Sequence, residues 1–136
     1  MAVPKYLRKE NTMEVQAKAA ELVAYTIRTA TNEKTVPKRY RWCLGDRLVK
    51  TAMDIAETID LANSLRLDEE NEAKDRRAMQ RRTLARTYAL LTQISVAHEM
   101  SQFPTERWAY WTSMVLEVQT LLRSWISSDD KRRKRP

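Results

Sequence analysis

With 136 residues, of which 43% are hydrophobic and 32% charged, the chain has enough apolar material for one domain with a buried core and too little length for two ordinary domains. It contains one glycine, against an average usage of about 7%, and sheets or glycine-rich phosphate loops are hard to build without the left-handed positions that glycine supplies. We therefore expect long helices with few turns. The net charge of +7 favours an anionic partner such as nucleic acid, and no apolar run approaches the roughly 20 residues of a membrane-spanning helix.

The first predicted helix covers about residues 11–33. Asn11 followed by Glu14 is a capping box, in which each side chain satisfies a backbone N–H group at the start of the helix. The polar segment 32–37 ends this helix, and Thr35 with Pro37 in the first turn begins the next one. Apolar residues at spacings of three and four define its predicted inner face: Val15, Ala19, Leu22, Val23, Thr26, Ile27 and Ala30.

The second predicted helix runs to about Arg66 and has the clearest periodicity of the chain. Its spacing of three and four residues is typical of a helix packed lengthwise in a bundle. The predicted core stripe is Leu44, Leu48, Ala52, Ile55, Ile59 and Ala62.

The third predicted helix begins in the acidic turn 68–72, whose charge is favourable at a helix start, and reaches about His98. Phe103-Pro104-Thr105 stops it and starts the fourth, which covers about residues 105–127. The predicted buried positions of the third helix are Leu84, Tyr88, Leu91 and Ser95, flanked by Ala85, Leu90 and Ile94. Those of the fourth are Trp108, Trp111, Val115, Val118, Leu122 and Trp125.

Four helices with short connections predict an all-α protein, an antiparallel up-down-up-down four-helix bundle. We expect an N-terminal extension over residues 1–10, the bundle over 11–127, and a disordered basic tail over 128–136, which has no apolar residue to anchor it. One cysteine excludes an internal disulfide, and the N-terminus lacks the apolar segment of a signal peptide, so we expect a cytoplasmic location.

Enzymatic function is disfavoured by the residues that are absent. His98 is the only histidine, which excludes a two-histidine metal site, and we expect neither a metal nor another cofactor. Cys43 with His98 could act as nucleophile and base, but a small buried thiol and a helix-end imidazole are the ordinary interpretations. Three acids on the polar side of the second helix are better explained as a solvated or salt-bridged face than as an acid/base pair: Asp54, Glu57 and Asp60.

Charge is divided into blocks along the chain. Residues 51–72 are strongly acidic and residues 73–86 strongly basic, and an antiparallel pairing of the two helices would place these blocks side by side. The basic residues of the third helix therefore have two interpretations of about equal weight, salt bridges to the acids or contact with nucleic acid. They are Arg76, Arg77, Arg81, Arg82 and Arg86.

Residues 38–50 form a second basic block, with five cations and one acid. Few acids are expected nearby beyond Glu33, Glu99 and Glu106. Tyr40 and Trp42 lie between the cations, a mixture suited to stacking on bases while the charges neutralise phosphates, although aromatic residues beside cations are common on any surface. Helical angles place Arg39 and Lys50 opposite the core stripe and Arg47 on its flank. The same angles place Arg41 towards the core, where a structural role is at least as plausible. The candidate nucleic-acid-binding residues are Lys38, Arg39, Arg41, Arg47 and Lys50, together with Arg77, Arg81 and Arg82.

A second apolar line on the second helix suggests self-association, because a single bundle has no obvious use for it. It comprises Trp42, Val49, Met53 and Ala56. The fourth helix is similarly broad. Gly45 lies within the second helix at a cost of about 1 kcal/mol relative to alanine, and we expect that it permits close approach of another helix. The candidate oligomer interface is therefore Trp42, Gly45, Val49 and Met53.

The segment from Pro37 to Arg47 carries a family resemblance. It resembles the Pro-Lys-x-x-Arg-aromatic-x-Leu-Gly-acid-Arg signature of a four-helix-bundle family, which comprises proteins encoded in intervening sequences of bacterial large-subunit ribosomal RNA genes and the accessory variability determinants of diversity-generating retroelements. The resemblance is closer to the accessory proteins, covers most of residues 12–127, and matches Arg41 and Arg47 to the motif most directly. It implies a basic, non-catalytic homo-pentameric barrel that binds RNA or DNA and the element's reverse transcriptase during mutagenic copying of a template RNA. An intervening-sequence protein and a purely structural homo-oligomer are the alternatives.

Overall fold

The computed structural model describes residues 10–133, with side chains from Glu14 onward. The predicted N-terminal extension and the side chains of the predicted Asn11 cap therefore lie outside the described residues, although the backbone at Asn11 is already inside a helix. Within the described range the chain is all-helical, with four α-helices and no strand, as predicted. The helices are α1 (Glu10–Ala30), α2 (Asp46–Ser64), α3 (Glu70–Ser101) and α4 (Thr105–Arg133).

The segment between α1 and α2 differs from the predicted continuous second helix. It contains a 3-10 turn at Lys38–Tyr40 and a π-helical turn at Arg41–Gly45, and only then the regular α2. In the π-helical turn the N–H group of Asp46 donates to the carbonyl oxygen of Arg41, five residues earlier. Side-chain directions in this turn therefore depart from those of an α-helix.

The core confirms the predicted stripes of α2 and, apart from half-buried Trp108, of α4. Burial is nearly complete along both because apolar side chains recur at spacings of three and four and meet at the centre of the bundle. Trp111 also donates its indole N–H group to the Thr26 hydroxyl, at 3.0 Å, so a polar residue of α1 is accommodated there. Other large buried side chains are Val15, Leu22, Leu90 and Ile94.

The four central positions predicted for the inner face of α3 each lie one residue after a buried one, whereas the flanking Leu90 and Ile94 are buried as predicted. Tyr88 is exposed, whereas Thr87 is buried and accepts a hydrogen bond from the Gln119 side chain of α4, at 3.0 Å. Polar residues can line this face because the buried ones form hydrogen bonds. The buried positions of α3 are Ala73, Arg76, Gln80, Thr83, Thr87, Leu90, Ile94 and Ala97.

The prediction of a disordered tail is wrong for residues 128–133, because α4 continues to Arg133; residues 134–136 of the predicted tail lie outside the described residues. Asp129 follows Trp125 by four residues on the core stripe and is buried, where it forms a salt bridge with Arg76 of α3. The segment has no apolar residue to anchor it, and the buried salt bridge with Arg76 holds it against the bundle instead. Three cations in the last turn of α4 also suit the negative end of the helix dipole.

Side-chain contacts fix which parts of the helices are neighbours. Near the start of α1, Gln16 donates to Asp60 near the end of α2, at 2.9 Å, and Lys18 lies 3.4 Å from Glu117 of α4. The carboxylate of Glu117, and then that of Glu21, raises the pKa of the Lys18 ammonium above its usual value. No helix among the described residues is long and apolar enough to cross a membrane.

Two ends of the molecule can therefore be defined. The Trp42 end holds residues 31–45, the connection between α3 and α4, and the start of α4, and it is held together by a hydrogen bond from Arg107 to the Thr35 hydroxyl, at 3.0 Å. The tail end holds the connection between α2 and α3 together with the last turns of α4. The 19 residues of α2 separate the two ends by about 28 Å at 1.5 Å per residue.

Candidate nucleic-acid interface

Five cations of the Trp42 end and the adjoining first turns of α2 are exposed. Among the described residues, none of them forms an ion pair or a hydrogen bond through its side chain, whereas some cations elsewhere, such as Lys18, Arg76 and Arg82, lie within 4.0 Å of carboxylates. Asp46, the one acid of this basic block, is half-buried. These charges are therefore available to an anion. They belong to Lys38, Arg39, Arg41, Arg47 and Lys50.

The structure corrects the prediction for Arg41, which was expected to point towards the core. Arg41 is exposed because it opens the π-helical turn, where the rotation of 100° per residue that underlay the prediction does not apply. Leu44 and Leu48 remain buried on the predicted stripe. The turn thus places the cation outside without moving the apolar residues that follow it.

Trp42 is 80% exposed, one of the large apolar side chains that the fold leaves uncovered. Its neighbour Cys43 is exposed as well. Tyr40 is half-buried against the core, and the guanidinium of Arg39 lies over its ring, 4.9 Å from the centroid. The two aromatic residues of the basic block therefore differ in role, since Tyr40 packs inside the protomer and Trp42 does not.

The second apolar line of α2 is only partly available for contacts between copies. Val49 and Ala56 are half-buried and pack against the core, which explains their apolar character within one protomer. Met53 is 37% exposed. Gly45 is buried inside the protomer rather than at its surface, and a Cβ atom at this position would lie 3.5 Å from the carbonyl oxygen of Ala30 in α1, an ordinary contact, so the packing against α1 does not require glycine.

The arginines of α3 divide between the two predicted interpretations. Arg77 forms an ion pair with Asp130, and Arg82 and Arg86 lie 3.8 and 3.5 Å from the carboxylate of Asp54. Arg81 is exposed and makes no ion pair among the described residues. The salt-bridge interpretation therefore holds with the expected acids for Arg82 and Arg86, Arg77 pairs instead with an acid of α4, and Arg81 remains a candidate for nucleic-acid contact.

Arg76, one of the α3 arginines considered for nucleic-acid contact, is buried in the core. Its Nε and Nη2 atoms donate to the two carboxylate oxygens of Asp129, at 2.7 and 3.0 Å, and Nη1 donates to the carbonyl oxygen of Leu65, at 3.0 Å. Gln80 donates to the same carboxylate, at 2.8 Å. Sequence analysis missed this network, although Asp129 continues the stripe of α4 four residues after Trp125.

The tail end also contains an open cavity of about 540 Å³. Two of its four arginines are already engaged inside the protomer, Arg76 with Asp129 and Arg66 with Asp68, at 2.9 Å. The carboxylate of Asp68 raises the pKa of the Arg66 guanidinium above its usual value. The arginines lining the cavity are Arg66, Arg76, Arg132 and Arg133.

Of the side chains considered for catalysis, Cys43 is exposed rather than buried as expected, and His98 and Asp54 are engaged by neighbouring side chains. His98 is stacked on Trp108, with ring centroids 5.5 Å apart, and meets the edge of Phe103 at 5.0 Å, so the imidazole packs among aromatic rings. Asp54 is occupied by Arg82 and Arg86. Over residues 10–133, no group of three or more His, Cys, Asp or Glu side chains is placed to hold a metal ion.

Comparison with known proteins adds no relative. No family model matches the chain, and neither a curated protein nor a solved structure matches it.

Proposed function

We propose that this chain is a basic, non-catalytic accessory protein that binds the backbone of nucleic acid at its Trp42 end. The observation that carries the proposal is the set of five exposed cations without an ionic partner among the described residues. Cations that salt bridges occupy gain little from a new anion, because they must first give up the old one. Unpaired cations release condensed counterions from the polyanion when they bind, which favours association.

The chemistry of these contacts defines what kind of recognition to expect. Lysine and arginine side chains on phosphate oxygens position a protein on its target and carry no sequence information themselves. Arg41 and Arg47 contribute guanidinium groups that can engage a phosphate through two N–H groups at once. We therefore propose binding that depends strongly on salt and weakly on sequence.

The finer proposal follows from the family resemblance of residues 37–47. We propose an accessory variability determinant of a diversity-generating retroelement, which assembles as a homo-pentamer of up-down-up-down bundles and binds the element's reverse transcriptase during mutagenic retrohoming. Two contacts support the antiparallel directions of this topology. The start of α1 lies beside the end of α2, and Arg76 near the start of α3 pairs with Asp129 near the end of α4. Met53, exposed on α2, is our candidate contact between copies.

A purely structural homo-oligomer is the second candidate. It is favoured by the ion pairs of Arg77, Arg82 and Arg86, which show that part of the basic character stabilises the protomer. In this alternative the cations of the Trp42 end serve solubility only, and neither nucleic acid nor a polymerase binds.

The two candidates are separated by a salt series of nucleic-acid binding. The test variant replaces Arg41, Arg47 and Lys50 with glutamine, and the matched control replaces three exposed cations outside the Trp42 end with glutamine: Lys74, Lys131 and Arg132. Both variants lose three charges. If Arg41, Arg47 and Lys50 contact phosphates, their replacement makes the slope of log K against log salt shallower by about 2 on single strands and about 3 on duplex.

The control variant should keep the slope of the wild type. Equal losses in both variants would show a response to total charge and would contradict a site at the Trp42 end. Absence of binding by the wild type at low salt would favour the structural oligomer. The polymerase is tested separately: the accessory role predicts a reverse-transcriptase gene beside the gene of this chain and co-purification of its product with a tagged chain, and absence of the gene or failure to co-purify would contradict the accessory role alone.

A further inference from the structure

Trp42 is the most unusual side chain at the Trp42 end. Trp111 and Trp125 are buried and Trp108 is half-buried, whereas Trp42 is 80% exposed. Exposing the apolar surface of an indole to water costs free energy. The residues that follow Trp42, Leu44 and Leu48, are buried in the core, so the chain here is not displaced from the bundle. The π-helical turn that carries it is a rare conformation that is frequent at functional sites.

The charges around Trp42 indicate what covers it. Lys38, Arg39 and Arg41 lie within one turn of it in the chain, and all are exposed without an ion pair among the described residues. If a second copy of the chain docked on Trp42 by the same surface, these cations would face their own equivalents, and like charges brought together cost free energy. The surface is complementary instead to an anionic partner with a flat apolar group.

Nucleic acid has both the negative charge and the flat apolar groups, but a duplex does not expose the faces of its bases. In a double helix the faces of the bases are stacked on one another, so an indole cannot reach them without unstacking the duplex. In a single strand every base can offer its face to an aromatic side chain while its phosphates remain within reach of the flanking cations. The combination of Trp42 with its neighbours therefore selects the single-stranded form.

We propose that Trp42 is a stacking platform for an unpaired base of single-stranded nucleic acid, with Arg39 and Arg41 placed beside it to engage the flanking phosphates. The inference rests on the proposed binding of nucleic acid at the Trp42 end and specifies its target. It also assigns Trp42 to the ligand rather than to the contact between copies that the sequence predicted.

The test compares Trp42→Ala and Trp42→Phe with the wild type on a short polyuridine strand, a polythymidine strand and a duplex of the same length. Because stacking on an aromatic residue strengthens binding of a single strand by about five- to 150-fold, Trp42→Ala should lose that factor on the two single strands. The salt slope should stay unchanged, since no phosphate contact is removed. Trp42→Phe should retain most of the affinity, and the duplex should bind all three proteins equally. The two strands distinguish RNA from DNA as the preferred source of the base.

Two further readouts report on Trp42 directly. A base stacked on the indole quenches its fluorescence, and the quenching should be present in the wild type and absent in Trp42→Phe. Cys43 is the only cysteine, is exposed, and adjoins Trp42, so bound strand should slow its alkylation. Trp42 makes no core contact, and circular dichroism should show that both variants fold.

The outcomes separate the inference from the function on which it rests. Unchanged affinity of Trp42→Ala for single strands, with salt-dependent binding intact, would overturn the stacking role and leave the nucleic-acid function standing. A lower oligomeric mass of Trp42→Ala in light scattering, without loss of affinity, would overturn it in favour of a contact between copies. No binding by the wild type to any of the three ligands would overturn both.

Discussion

The buried salt bridge between Arg76 and Asp129 supports the sharpest prediction about stability. The two side chains are only 8% and 4% exposed, and the carboxylate accepts two hydrogen bonds from Arg76 and one from Gln80. Asp129→Ala would leave the guanidinium buried without its counter-charge. Breaking a buried pair in this way costs about 3 to 5 kcal/mol, which is a large part of the roughly 5 to 15 kcal/mol that stabilises a typical domain.

The matched control is Asp130→Ala, one residue further along α4. Asp130 pairs with Arg77, but these side chains are 34% and 25% exposed, and water screens their attraction. Partly exposed pairs contribute about 0.2 to 1 kcal/mol. The two variants remove the same chemical group from neighbouring positions, so the difference between them measures the effect of burial.

The assay is urea unfolding followed by circular dichroism at a fixed protein concentration, since self-association would shift the apparent stability. With a slope of about 2 kcal/mol per molar urea, Asp129→Ala should lower the unfolding midpoint by about 1.5 to 2.5 M and Asp130→Ala by less than about 0.5 M. A chain that ends at Ser128 should be destabilised as much as Asp129→Ala. Equal midpoints for the two point variants would refute the reasoning, and a double variant, Arg76→Met with Asp129→Leu, should recover most of the loss if the buried charge is its cause.

Three further predictions concern single positions. Gly45→Ala should raise the free energy of unfolding by about 0.4 to 1 kcal/mol, because Gly45 already has helical dihedral angles. The added Cβ would lie 3.5 Å from Ala30 and 3.7 Å from Val36, which are ordinary contacts. A lower melting temperature of the variant would contradict this prediction. Gln102 ends α3 with φ of 51°, in the left-handed region, so Gln102→Gly should increase stability in urea by about 0.5 to 1 kcal/mol and Gln102→Val should decrease it. Met53→Glu should dissociate a homo-oligomer into folded monomers, measured by light scattering with circular dichroism, and an unchanged mass would remove Met53 from the interface.

How far the sequence predicts the fold depends on the chemistry of each inner face. The stripes of α2 and α4 could be predicted because five of the seven buried positions in each helix are apolar. The inner face of α3 could not, since Gln80, Thr83 and Thr87 occupy it and their burial depends on hydrogen-bond partners that periodicity does not reveal. Asp129 was missed for the same reason, because a carboxylate on a core stripe is recognisable only once its buried arginine is known.

The candidate site was predicted in composition but not in arrangement. The exposure of Arg39 and Lys50 followed from the helical angles of the sequence, whereas that of Arg41 did not. Its direction depends on the 3-10 and π-helical turns that precede α2, and Pro37 predicted a restart of the helix without specifying those turns. The geometry of such irregular turns depends on the segments against which they pack, which a local pattern of residues does not reveal; Gly45, at the end of the π-helical turn, is buried beside Ala30 of α1.

The distribution of ion pairs also changes the meaning of the net charge. The two acids at the end of α4 neutralise Arg76 and Arg77, and Asp54 engages Arg82 and Arg86, so much of the basic block of α3 is compensated inside the protomer. No such compensation occurs among the described residues at the Trp42 end. A polyanion that approaches the protein therefore gains more from unpaired cations than from compensated ones, and at the Trp42 end the unpaired cations adjoin the exposed indole. The electrostatic attraction of the strand by the cations and the stacking of its bases on Trp42 would then act at the same place. A strand bound by its phosphates would therefore already have its bases close to the indole.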